Sequence, residues 1–361
     1  MTVTISILLF SQKKTMKNKL TVIIATRPNI ENIHWIFKSL DIQTFQDFKV
    51  ILVIDSKLKK EEFENLKKEA LKWLKNISKK INFVSNVNTD FKPQNWVSNV
   101  RNYWIKLADT EFINIFDDDE IFKKDYLQTS FDLWNEIKDW GVPLTNLESG
   151  GSNEDDSQPP MSPLQRGMDD FILVPTLMFR KTWEIQSQWF DYYNFRTSRP
   201  HALRLDKNQK FAEIQMFSWN SLFGPSKIFK EILFDENFDF VYEDLEFTYR
   251  MYRAGYPLFV AKDLVLYHME RDKNILEHAR VWSKFAAYRK AKHRVIFVRK
   301  NWTLLQKIKF YLLGFRAQPL RLSFKIISYW KKREILPLIF SLYRGTWDGL
   351  VYKLYFYNER S

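Results

Sequence analysis

Four short apolar runs, separated by segments of helical period, constrain this chain more than any other feature. LTVIIAT, residues 20–26, is apolar and β-branched and stops at Arg27-Pro28-Asn29. FKVILVI spans 48–54 and closes on Asp55-Ser56; INFVS spans 81–85 and EFINIF spans 111–116. Runs of this length without polar alternation read as buried strands. Between them, Ile33, Ile36, Phe37 and Leu40 recur at helical spacing within 30–42. A Lys/Glu-rich amphipathic helix is predicted over 60–80, with Phe63, Leu66, Leu71 and Leu74 on its apolar side, and another over about 95–108. Strands alternating with helices predict right-handed βαβ units, hence an α/β fold with a Rossmann-like, mostly parallel sheet flanked by helices. In such sheets ligands sit beyond the carboxyl ends of the strands. Asp55 and the run Asp117-Asp118-Asp119 fall at such ends.

The 361 residues suffice for one large α/β domain and an appendage. Residues 1–16 read as a poorly ordered lead-in, 17–275 as the α/β domain, and 276–361 as a basic, amphipathic helical extension. The apolar patch Ile5–Phe10 is too short to span a bilayer, and it lacks the basic flank and cleavage site of a signal peptide. Residues 148–170, rich in Gly, Ser, Pro and acid, predict a long mobile surface loop. The aromatic stretch 171–223 resumes structure without a periodicity that places its strands. A helix is predicted over 243–254 and a strand within 256–267. The chain has no cysteine, which excludes a disulfide scaffold, a thiolate zinc site and a cysteine nucleophile, and fits a reducing cytoplasm.

The net charge of +13 is unevenly placed. Residues 271–361 hold 21 Lys/Arg against 5 Asp/Glu, whereas the remainder holds 35 against 38. A basic tail on a near-neutral body predicts a polyanionic partner, either an anionic membrane surface or nucleic acid. Nucleic-acid binding lacks any accompanying helix-turn-helix, zinc or RNP signature. Leu304, Leu305, Ile308, Tyr311, Leu312 and Phe315 recur at helical spacing, with Lys307, Lys309 and Arg316 on or beside the polar face; Phe324, Ile327 and Trp330 continue the theme. Charges recur too often for a span, so these helices are expected to lie in a membrane interface, at the cytoplasmic, inner face. The alternative is docking on the α/β domain or on a second subunit.

Phe116-Asp117-Asp118-Asp119-Glu120 carries the strongest chemical signal. Adjacent carboxylates repel, and burial worsens the repulsion. Mn2+ or Mg2+ is the simplest compensation, since hard cations take oxygen ligands and are often held by one or two carboxylates plus substrate phosphates. Such an ion neutralises charge on a departing diphosphate. Taken alone, the run is equally a solvated acidic turn. In Tyr242-Glu243-Asp244-Leu245-Glu246, a carboxylate near a helix N-terminus stays ionised, as a general base must. The alternative is an ordinary helix start, which is the reading for Glu246 with Arg250 at i,i+4. His34, His201, His278 and His293 show no ligand spacing. His268 ends an apolar strand, where a satisfied core histidine is the rival reading.

These segments, in order, resemble the family 2 glycosyltransferases, which have the GT-A fold. The resemblance covers roughly residues 20–270. It begins at TVIIATRPN and runs through IFKSLDIQTFQDFKVILVIDS, with its Ser-Leu…Gln-Thr spacing. VRNYWIKLADTEFINIFDDDE is similar to the family's Arg-Asn helix and DxD motif, and FDENFDFVYEDLEFTYRMYRAGY precedes a strand ending at His268. The resemblance implies a metal-dependent, inverting transfer of a sugar from a nucleotide-diphosphate donor to an acceptor hydroxyl, in surface glycan or polysaccharide synthesis. It implies that Thr26 and Arg27 lie beside the donor nucleotide, that Asp55 bonds its base and that Arg101 contacts base or phosphate. Asp117 would touch the ribose, with Asp118 beside it. Asp119 would bind the metal with Asp117, and His268 would be a metal or diphosphate ligand. Asp244 would be the catalytic base, with Glu243 its neighbour. Ser56-Lys57 and Ile232-Leu233 depart from the family pattern and leave the donor base open. The acceptor is open among a lipid-linked glycan, a surface polysaccharide and a protein. Trp183, Trp189, Phe190, Tyr192, Tyr193 and Trp219 either stack on acceptor sugars or, for most of them, form core. A nucleotidyltransferase is the rival enzyme. It normally shows a Gly-rich phosphate loop after the first strand, where this chain has Thr26-Arg27-Pro28-Asn29. A degenerate transferase domain on a basic binding protein is the other alternative.

Overall fold

Continuous apolar runs form strands that must be covered on both faces, and in a computed structural model they are. The structure describes residues 18–87, 89, 97–140, 170–180, 185, 189–194, 199–203, 205, 209–218, 221–239, 241–269, 283–329 and 332–353. The lead-in at 1–16 and the acidic loop up to residue 169 lie outside these, as do Trp183, Trp219, His278 and Trp330. The first half reads β1 (Leu20–Thr26), α1 (Ile30–Asp41), β2 (Phe48–Ile54), α2 (Lys60–Leu71), β3 (Ile81–Val84), α3 (Val97–Leu107), β4 (Phe112–Asp117), β5 (Glu120–Phe122) and α4 (Tyr126–Trp140). Then follow β6 (Ile172–Phe179), β7 (Trp189–Asn194), β8 (Arg199–Ala202), β9 (Phe211–Ile214), β10 (Met216–Phe217), β11 (Leu222–Pro225), α5 (Ser226–Glu231), α6 (Glu243–Arg253) and β12 (Leu258–His268). The extension comprises α7 (Lys284–Asn301), α8 (Leu304–Lys309), a π-turn over Phe310–Gly314, α9 (Phe315–Tyr329) and α10 (Lys332–Val351).

The main sheet has the order β3-β2-β1-β4-β11-β6-β12-β5, with β9 also on β12; β7, β8 and β10 form a small second sheet. β1, β2, β3 and β4 are mutually parallel. β11 runs antiparallel to both β4 and β6, and β12 is parallel to β6. The two reversals cancel, so β6 and β12 point the same way as β4. The sheet is therefore mostly parallel, with β5, β9 and β11 opposed. Its two faces feed separate cores. Val22, Ile24, Val50, Leu52 and Phe116 face one, with Phe37, Phe63 and Trp134 from the helices. Ile23, Ile51, Val53, Ile113 and Ile115 face the other, with Trp104, Phe229 and Phe247. Each fully buried large apolar side chain in these cores contributes roughly 1.5–3 kcal/mol relative to leaving it exposed.

Local polar contacts fix the connections. Asn29 caps α1, its Oδ1 accepting from Glu31 N and Asn32 N at 3.2 and 3.3 Å. The Ser-Leu…Gln-Thr spacing has a concrete use: Gln43 Nε2 donates to the Ser39 and Lys123 carbonyls, while its Oε1 accepts from Leu127 N at 3.0 Å. One buried amide thus ties α1 to the start of α4. The helix predicted over 60–80 stops at Leu71. The chain there turns back so that the Asp41 carboxylate accepts the backbone N–H groups of Lys75, Asn76 and Ile77, before a short 3-10 turn over Ser78–Lys80.

Glu213 on β9 faces little water, and burial pushes its carboxyl from near 4.5 up to about 7. The folded state therefore holds this proton more tightly than the unfolded chain. The associated stability is full below about pH 4.5 and is lost as pH rises through about 7. Glu213→Gln is expected to be more stable than wild type at pH 8, on the order of 2 kcal/mol, with the gap closing toward pH 5. Thermal melts across that range check this; a constant gap would show that the carboxyl is solvated.

Candidate active site at the carboxyl edge of the sheet

Thr26, Asp55 and Asp117 end or follow parallel neighbours and so arrive at one edge. Asp55 N donates to the Thr26 carbonyl at 2.8 Å, and Ala25 is in register with Asp117. β12 reaches the same edge, where His268 pairs with Glu120. The acidic turn after β4 is thus clamped between the first and last strands of the domain.

Each carboxylate of the turn has a different environment. Thr26 Oγ1 lies 2.5 Å from Asp118 Oδ2 and 2.5 Å from the Arg27 carbonyl. Burial pushes the Asp118 carboxyl up to about 6; the Thr26 hydrogen bond opposes this, and the charges of Asp119 and Asp117 add to it. Burial also raises Asp117, against the pull of Arg101, while Asp119 and Glu243 push it further up. Arg101 Nη2 lies 3.2 Å from Asp117 Oδ1, and its Nη1 lies 3.6 Å from Glu243 Oε1. Only 5% exposed, this guanidinium links the turn to the start of α6 and stacks over Phe234 at 5.2 Å. Asp119 Oδ2 lies 3.2 Å from His268 Nε2, and the Asp119 carbonyl accepts from Met269 N at 2.8 Å. The Arg27 side chain is exposed; only its carbonyl joins the cluster.

α3 explains why an Arg-Asn pair stands here. Asn102 Nδ2 donates to the Phe234 carbonyl at 2.8 Å and its Oδ1 accepts from Phe234 N at 2.7 Å. Ser98 Oγ donates to the Phe238 carbonyl. The helix therefore holds the 234–238 loop by its backbone while Arg101 reaches across it. The loop then enters α6 through Val241 and Tyr242, with φ of 62° and 81°. Positive φ is a strained conformation for a β-branched residue. It is held from outside. His293 Nδ1 lies 2.9 Å from the Val241 carbonyl, and His293 Nε2 lies 3.1 Å from Asp239 Oδ1. Arg289 pairs with the same carboxylate. Burial favours the neutral Asp239, but His293, Arg289 and Lys292 together hold its carboxyl below the ordinary value. Glu243 and Asp244 follow in the first turn of α6, 5% and 3% exposed. Asp244 Oδ1 accepts from Leu245 N at 2.8 Å. Glu246 pairs with Arg250 at 2.6 Å, as its i,i+4 spacing predicts.

Three contributors were not singled out from sequence. Glu120, fully buried, accepts from Asp117 N at 3.1 Å and Ser221 Oγ at 2.5 Å; burial and then Asp117 push its carboxyl well above the usual range. Its signal was its place at the end of the acidic run. Asp239 and His293 carried no local signal, because their roles depend on α7 packing beside α6. Trp189, Phe190 and Tyr193 are buried core, Tyr193 against Phe297 and Trp302.

Among the described residues, no three His, Asp or Glu side chains converge into a ready metal cage. Asp119 and His268, at 3.2 Å, have the ~3 Å separation of adjacent donors on one octahedral ion. One carboxylate oxygen and one imidazole nitrogen, completed by substrate oxygens, fit Mn2+ better than Mg2+, which prefers an all-oxygen shell.

The model of the family described as Glycosyltransferase (GlcNAc) matches residues 132–321. A comparison with curated proteins finds no match. Crystal structures of S. aureus TarS align over most of this chain. One is 14% identical with a TM-score of 0.45, and 92% of this chain covers 54% of that one, so the chain spans about half its length. TarS 1-349 in complex with UDP-GlcNAc is 12% identical with a TM-score of 0.47, 91% of each chain being covered. TarS 1-349 in complex with UDP is 14% identical with a TM-score of 0.45, covering 94% of this chain and 95% of that one. The family match takes in more than half of the chain, from α4 through α6 and into α9, and this protein belongs to that family of glycosyltransferases.

Proposed function

We propose that this glycosyltransferase is a family 2 type enzyme that takes N-acetylglucosamine from a nucleotide-diphosphate donor and transfers it, with inversion, to an acceptor hydroxyl. The sugar follows the family's description; the acceptor class is a surface glycan or lipid-linked intermediate. One observation carries the reading. A Thr26–Asp55 pair, a buried Arg101–Asp117–Glu243 group and an Asp119–His268 pair meet at the carboxyl edge of a mostly parallel sheet, where such folds bind nucleotides. In this reading Asp117-Asp118-Asp119 is the DxD motif, and Thr26, Asp55 and Asp117 bind the nucleoside. Asp119 and His268 would hold Mn2+ or Mg2+, which when bound offsets charge on the leaving diphosphate.

The transfer is a single displacement. Asp244 takes the proton of the acceptor hydroxyl as its oxygen bonds to the sugar C1. The bond from C1 to the diphosphate oxygen breaks, and the nucleoside diphosphate leaves with that electron pair. Glu243 is less suited to be the base, because its Oε1 is turned toward the Arg101 guanidinium, 3.6 Å away. A thermal-shift panel of nucleotides and nucleotide sugars, with and without Mn2+, tests the reading. Saturating donor is expected to raise the midpoint by several degrees, selectively for one base and only with metal. No shift with any nucleotide diphosphate would refute it.

A further inference from the structure

The extension buries one face of its helices and leaves another open. α7 buries nine of its 18 residues, and Val295 to Val298 share a cluster with Tyr242, Leu245 and Tyr249 of the catalytic half. α10 packs on α7 through Leu338, Leu342, Gly345 and Gly349; a Cβ on Gly349 would lie 2.6 Å from the Lys292 carbonyl oxygen. The other side of α10 presents Leu336, Phe340, Tyr343, Trp347 and Val351, spaced four, three, four and four residues apart. Leu336, Phe340 and Trp347 are 76%, 67% and 62% exposed. α9 repeats the pattern with Arg316, Leu320, Phe324 and Ile327 exposed, and α8 adds Leu304, Leu305 and Ile308. Tyr311 and Phe315, expected on this open face, pack instead beside the cluster of Trp302 and Phe310.

Isolated exposed apolar side chains are ordinary, but stripes on three successive helices mark an interaction surface. Its charge selects the partner. Residues 304–351 hold nine Lys/Arg against two Asp/Glu, and Arg316, Arg321 and Arg344 are exposed beside the stripes. No described helix is long and apolar enough to cross a membrane. We infer that α8, α9 and α10 form a docking face for an anionic phospholipid surface, lying in the plane of the interface. The apolar stripes enter the acyl boundary, Tyr343 and Trp347 sit at headgroup level, and the arginines meet lipid phosphate. Nucleic acid would satisfy the charge but leave the stripes wet. A second copy would set two basic faces together.

Sedimentation of the full-length protein with vesicles tests this. Binding to phosphatidylcholine mixed with phosphatidylglycerol is expected to exceed binding to phosphatidylcholine alone by at least about tenfold, and to be released by salt. Leu336→Asn, Phe340→Asn and Trp347→Asn combined alter only exposed positions. The triple variant should melt like wild type yet bind anionic vesicles roughly tenfold more weakly or worse. Arg316→Glu with Arg344→Glu gives an independent arm with the same expected loss. Wild-type protein left in the supernatant, or variants that pellet as wild type does, overturns the assignment. So does self-association that the triple variant abolishes without any vesicle binding.

Discussion

Asp244→Asn is expected to bind donor as wild type does and to turn over roughly two orders of magnitude more slowly or worse, the scale of general-base loss. Asparagine keeps the carbonyl oxygen that accepts from Leu245 N, so the helix start is preserved. It removes the anionic oxygen that takes the proton. A merely structural role predicts the opposite split, in which stability and donor affinity fall with activity. Glu243→Gln is the control. That carboxylate shares Arg101 with Asp117, so its loss should weaken donor binding as well as kcat. Normal turnover in Asp244→Asn beside a dead Glu243→Gln would move the base to Glu243.

Asp119→Asn should abolish the metal dependence of donor binding. The backbone bond from Met269 N to the Asp119 carbonyl survives the change, as does the pairing of His268 with Glu120. The fold should therefore hold. Removing an anionic oxygen from a hard-cation site costs on the order of 10–100-fold in affinity or more. Calorimetry of a nucleoside diphosphate with Mn2+ measures the effect. Unchanged metal-dependent heat in this variant removes Asp119 from the site.

The parallel half of the sheet was legible because double-sided burial writes itself as unbroken apolar runs, as in Leu20–Thr26 and Phe48–Ile54. Their carboxyl ends, and hence Asp55 and Asp117, followed from the pattern alone, whereas Thr26 came with the family resemblance. The antiparallel insertion was not legible. β11 is only LFGP, and a Cβ at its Gly224 would lie 2.6 Å from the end of the Ile172 side chain and 3.0 Å from the Phe171 carbonyl oxygen. That contact comes from a strand some fifty residues earlier in the chain and leaves no local trace. Val241 and Tyr242 show the same limit more sharply. Neither is a residue that favours positive φ, so their conformation is imposed by Asn102, Ser98, Asp239 and His293 through the flanking loop. His293 showed only the absence of ligand spacing, and it is buried. What sequence could not show is that it holds the turn before Asp244. The extension was legible as basic and amphipathic, but which apolar residues pack inward depended on α7 docking against α6.

The position of Mn2+ in crystals grown with a nucleoside diphosphate tests the central claim most directly. Anomalous scattering at the manganese edge should give a peak within coordination distance of Asp119 and His268, with the diphosphate on the ion and the nucleoside beside Thr26 and Asp55. A peak elsewhere, or nucleotide bound on the basic helices with the acidic turn empty, would contradict the assignment of this edge as the donor site.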